Sequence, residues 1–85
     1  MYRNYLIRAI RLAKSQRKLS EKLQVSPSNI NKWLNCRVNI PVEHALNIEV
    51  FSEGKIKAEK LAPYAKKQIQ GYKRYLRQMY HHKTN

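Results

Sequence analysis

The chain has 85 residues, too few for a two-domain enzyme with an interdomain cleft and enough for one small domain with an added helix. Lys and Arg number 18 against five acidic residues, a formal charge of +13, and all five acids are glutamates (Glu21, Glu43, Glu49, Glu53, Glu59). With no Asp and two Gly, the sequence lacks both an Asp-based acid–base pair and a Gly-rich phosphate loop, so it reads as a binding protein and not an enzyme.

In chain order, Leu6, Ala9, Ile10 and Ala13 recur at helical spacing with Arg3, Arg8, Arg11 and Lys14 mostly on other sides, which predicts an amphipathic helix over about 3–13. Ser15 offers an N-cap oxygen to a short second helix with Leu19, Ser20 and Leu23 inward. Ser26 caps the next helix and Pro27 occupies its first turn, where a missing N–H costs nothing. Ile30, Trp33 and Leu34 then repeat at three and four, giving a third helix over about 27–35.

A fourth helix is predicted at about 41–51 with Val42, Ala45, Leu46, Ile48 and Val50 or Phe51 inward, stopped by Ser52-Glu53-Gly54 with Gly54 as the left-handed residue. A short turn follows at 57–61, ending before Pro63. Residues 64–82 form a long basic helix with Ala65, Ile69, Tyr72, Leu76 and Met79 on one stripe. Its stripe either docks on the domain or forms a two-fold seam, and Gly71 weakens it as an isolated coil. The predicted fold is all-α: a compact bundle of four to five short helices over 1–63 plus a basic C-terminal helix and tail over 64–85.

The charge is uneven. Residues 1–37 carry nine Lys/Arg and one Glu (+8), residues 38–63 three against four (−1), and residues 64–85 six and no acid (+6). Such an excess suits nucleic acid, an anionic membrane surface or an acidic protein. No apolar run approaches the roughly 20 residues of a membrane span, and Arg8 and Arg11 interrupt any signal-peptide core. The lone Cys36 excludes an internal disulfide and fits a reducing cytoplasm. His44 is placed on a helix face and His81-His82 in a frayed tail, so neither a metal site nor a cofactor is expected.

Residues 16–35, QRKLSEKLQVSPSNINKWLN, carry the functional signal. Two short helices joined by a tight turn must bury their shared face. Leu19, Leu23, Val25, Ile30 and Trp33 supply it, with small Ser20 where the helices cross most closely. This pattern resembles a helix-turn-helix, whose second helix enters the DNA major groove. Trp33 sits at an inward position, which assigns it to the core and not to base stacking.

With the flanking IPVEHALNIE and KIKAEKLAP, the chain resembles phage Cro and repressor-type helix-turn-helix proteins, and within them the small YdaS-like antitoxin group, over roughly 6–63. The resemblance implies base contacts from Ser26, Ser28, Asn29, Asn31, Lys32 and Asn35, since Asn binds adenine in bidentate fashion. It implies backbone contacts from Gln16, with Arg17, Lys18, Arg37 and Asn39 added by proximity. A prophage-type regulator of double-stranded DNA follows, acting at the bacterial nucleoid on a palindromic operator, with a homodimer and a toxin partner both open. The alternatives are an antitoxin of a toxin–antitoxin pair and a non-specific basic RNA-binding protein. Two departures remove glycine where the family favours it: Gln24 stands in the turn, and Asn35-Cys36 replaces the usual Asn-Gly.

Overall fold

The chain folds into six α-helices and one 3₁₀ turn, with no strand among the described residues. The computed structural model describes residues 2–83, with side chains described for 2–80. The helices are α1 (Arg3–Ala13), α2 (Gln16–Leu23), α3 (Pro27–Leu34), α4 (Val42–Phe51), α5 (Ala58–Leu61) and α6 (Lys66–Lys83), with the 3₁₀ turn Pro63–Ala65 leading into α6. α1 and α3 match their sequence-derived bounds to within a residue, and α2 and α3 begin directly after their expected caps Ser15 and Ser26.

Eight large side chains are fully buried: Leu6, Leu19, Ile30, Ile40, Ile48, Ile56, Leu61 and Ile69. At about 1.5–3 kcal/mol for each such side chain, this one cluster supplies most of the drive to fold. Every helix contributes to it, and two of its members, Ile40 and Ile56, come from loops. Loop carbonyls and amides near them are satisfied by side chains. The Tyr64 hydroxyl donates to the Ile40 carbonyl at 2.7 Å, and buried Ser52 Oγ accepts the Ile56 amide at 3.0 Å.

Several sequence-based expectations need correcting. In α4, Ala45 and Ile48 are buried and Val42, Leu46 and Phe51 half-buried, but Val50 is 77 % exposed. Phe51 takes the inward role of that pair, with Lys22 Nζ lying 5.0 Å from its ring centroid. The residue that closes α4 is Glu53 (φ +55): its amide bonds the Val50 carbonyl while that of Gly54 bonds the Glu49 carbonyl. Gly54 is also left-handed (φ +81), one position later. The last helix starts at Lys66 and not Tyr64, because Pro63 begins a tighter turn.

The stripe along α6 is split. Ala65 and Ile69 are buried in the domain, whereas Tyr72, Leu76 and Met79 stay 37–47 % exposed. The first half therefore docks and the second projects, which accounts for a molecule 44 Å long and only 24 by 19 Å across. Docking is fastened by Lys73, whose ammonium donates to Glu49 Oε1 of α4 and Glu59 Oε1 of α5, both at 2.7 Å. The Glu49 oxygen also accepts the Ala58 amide at 2.7 Å, so one cluster joins α4, α5 and α6.

Burial works against the charged forms of this cluster, but its hydrogen bonds win. Burial alone would raise the Glu59 pKa, yet the Lys73 hydrogen bond and charge hold it below its ordinary value. Burial would lower Lys73, yet its bonds to Glu49 and Glu59 hold it above. A depressed carboxylate stabilises the fold above its ordinary pKa and stops doing so as pH falls; a raised lysine stabilises below its ordinary pKa and stops as pH rises. The cluster should thus add about 1–2 kcal/mol only between roughly pH 4.3 and pH 10.4. In thermal melts followed by circular dichroism, Lys73→Met should lower the midpoint inside that window and converge with the wild type at both extremes.

Candidate nucleic-acid interface

The pairing of α2 with α3 rests on the residues that the spacing singled out. Leu19, Leu23, Ile30 and Trp33 are buried, Val25 is half-buried, and Ser20 is 3 % exposed with its Oγ donating to the Arg17 carbonyl at 2.6 Å. That bond satisfies the hydroxyl locally, so a small polar residue can occupy the crossing without cost. Both helices start on their expected caps. Ser15 Oγ accepts the Lys18 amide at 3.0 Å, and Ser26 Oγ accepts the Asn29 amide at 3.3 Å.

With Ile30 and Trp33 inward, the opposite side of α3 faces solvent. Ser28, Asn31, Lys32 and Asn35 are exposed together, with Asn29 half-buried beside them. Ser26 is exposed too, but its oxygen is held by the cap and lies 3.0 Å from Ser28 Oγ. At the start of α2, Gln16 is half-buried while Arg17 and Lys18 are exposed; Arg17 makes a loose pair with Glu21 at 3.8 Å. Such an exposed pair contributes little and leaves the guanidinium free to exchange partners. Arg37 and Asn39, after α3, are also exposed.

The two glycine-free positions adopt the backbone that glycine would favour. Gln24 has φ +57 and Cys36 φ +56. At the end of α2 the Val25 amide bonds the Ser20 carbonyl, and at the end of α3 the Arg37 amide bonds the Lys32 carbonyl while that of Cys36 bonds Trp33. Each is a Schellman closure with a non-glycine residue in the left-handed position.

The last four carbonyls of α3 lack helical partners, and each finds one. Asn31 accepts the Asn35 amide, Lys32 that of Arg37, and Trp33 that of Cys36. Leu34 accepts from Arg3 Nε at 3.0 Å, and the Tyr2 hydroxyl lies 2.8 Å from the Trp33 carbonyl and 3.0 Å from that of Val38. Burial, then the neighbouring Cys36 thiol, pushes the Tyr2 pKa up to about 12, so the hydroxyl keeps the proton it donates. The beginning of α1 therefore clamps the end of α3. On the other side of Trp33, the His44 ring sits 5.5 Å away, tilted by 41°. His44 lies on a face of α4 as expected, half-buried beside that tryptophan, and its Nδ1 is buried with no hydrogen-bond partner. Sequence spacing missed Tyr2, Arg3 and His44 because each acts on α3 from a distant part of the chain.

These features define a small all-α bundle in which two short helices pair across a tight turn and the second presents a polar edge. The chain belongs to the family described as bacterial toxin YdaS, whose model matches residues 6–69. No curated protein and no solved structure matches significantly. Among the described residues no helix is long and apolar enough to cross a membrane.

Since a left-handed L-residue costs on the order of 1–2 kcal/mol, Cys36→Gly should leave stability equal or raise it by about 1 kcal/mol in urea unfolding. A fall of several kcal/mol would contradict the closure described for α3.

Proposed function

We propose that the chain binds double-stranded DNA with α3 in the major groove, acting as a prophage-type transcriptional regulator and not as an enzyme. The observation that supports this best is the split of α3: Ile30 and Trp33 are 0 % and 3 % exposed, while Ser28, Asn31, Lys32 and Asn35 lie open on the other side. Side chains of these types hydrogen-bond base edges, with Asn suited to adenine and Lys to guanine or phosphate. Gln16, Arg17, Lys18, Arg37 and Asn39 take the DNA backbone, where such contacts set register. A palindromic operator read by two copies, one half-site per helical turn, suits such a helix.

The double variant Asn31→Ala/Lys32→Ala should lose a few kcal/mol of specific binding, about 1–3 for each lost base contact, with unchanged helical circular dichroism. Selection of bound duplexes from a random pool at about 150 mM salt supplies the operator. Wild-type binding by the double variant removes the base-reading role of α3, and equal affinity for duplexes and single strands favours the RNA-binding alternative.

The family's description as a toxin favours a second reading, membership of a toxin–antitoxin pair. Expression of the chain alone in a bacterial host separates the two members. Arrested growth marks a toxin; unimpeded growth, with rescue of cells expressing a neighbouring small reading frame, marks the antitoxin.

A further inference from the structure

Away from the polar edge of α3, cations gather where α5, the start of α1 and one side of α6 meet. Two clefts lie there, of about 450 and 260 Å³. Lys57, Lys60 and Lys66 wall the larger, with Tyr2 and Tyr5; Lys73, Arg74 and Arg77 wall the smaller. Glu59 and Gln70 line both, so the clefts run into each other as one groove. On α6, positions 66, 70, 73, 74 and 77 follow the three-and-four spacing of a single helix side.

The groove's charge is almost uncompensated. Its one acid, Glu59, is held by Lys73 at 2.7 Å. Lys57, Lys60, Lys66, Arg74 and Arg77 are exposed and, among the described residues, pair with no carboxylate within 4.0 Å. Five cations with no described carboxylate within 4.0 Å, strung along one groove, fit a repeating anion. From Lys66 to Arg77 the helix rises about 16 Å, so its cations are spread along the groove and not gathered at one point. Tyr2, at the groove's wall, also bonds the carbonyls of Trp33 and Val38, so the groove begins where α3 ends.

We propose that this groove is a second, sequence-independent site for the phosphate backbone of duplex DNA, holding the stretch that flanks the bases read by α3. The inference rests on the DNA-binding reading of α3. It adds affinity and salt dependence and carries no base recognition, since phosphate contacts position a protein without reading sequence.

The test compares the quadruple variant Lys57→Gln/Lys60→Gln/Lys66→Gln/Arg74→Gln, which leaves the Lys73 cluster intact, with Asn31→Ala/Lys32→Ala. Both are titrated with a selected and a mixed-sequence duplex of about 30 base pairs, between about 50 and 200 mM salt. The groove variant should lose about tenfold or more on both duplexes, and its salt slope should fall by about 0.9 for each phosphate contact removed. The α3 variant should lose affinity on the selected duplex alone. Wild-type affinity and slope in the groove variant overturn the proposal, whatever the α3 variant does, and would leave an acidic protein as the groove's occupant. A loss in the groove variant with normal binding by the α3 variant keeps the groove and removes the reading of α3.

Discussion

Trp33 is the point at which the molecule is tied together. Its side chain is buried against the His44 ring of α4, and its carbonyl receives the Cys36 amide and the Tyr2 hydroxyl of the segment leading into α1. A single residue of α3 thus meets both the segment leading into α1 and the fourth helix, and the roll of α3 about its own axis is fixed by that seating. Were Trp33 displaced, the polar edge from Ser28 to Asn35 would lose its heading, although none of those side chains takes part in the packing. Presentation of that edge is a by-product of where a large ring is buried.

Helix ends show how the chain accommodates its shortage of glycine. Lys14, Gln24, Cys36 and Glu53 all sit at positive φ, after α1, α2, α3 and α4 in turn. Each carries strain of about 1 kcal/mol that glycine would remove, and each is followed by a segment whose hydrophobic residue is drawn into the cluster. Burial of Leu19, Ile30, Ile40 and Ile56 beyond these corners outweighs the strain, since one such side chain contributes about 1.5–3 kcal/mol. Tight corners are compatible with almost any residue when the next element is anchored firmly enough.

What was legible in the sequence follows from how far apart the interacting groups lie. Ser15 and Ser26 accept amides three residues away, Pro27 fixes its own turn, and Leu6, Ala9 and Ala13, like Ile30 and Trp33, share a helix side by spacing alone, so α1–α3 and the exposed edge could be read directly. Burial of Ile40 and Ile56 could not, because neither belongs to a periodic segment and both are captured by helices distant in the chain. The Tyr2 and Arg3 bonds to α3 span 31 residues or more, and Lys73 reaches Glu49 across 24. The α6 stripe is regular along its length, but spacing alone could not tell that the domain covers it only as far as Ile69.

That shortfall gives α6 two thermodynamic regimes. Up to Lys73, opening a helical turn also withdraws Ile69 from the core and breaks the bonds to Glu49 and Glu59, so its amides share the global unfolding free energy. Past that point none of the described side chains is buried, and Gly71 upstream lowers the helix propensity of the stretch. Amide protection should therefore decline stepwise along one continuous rod. The family match ends at residue 69, the last buried position of the helix among the described residues, so the part of α6 that the match includes is the part that docks.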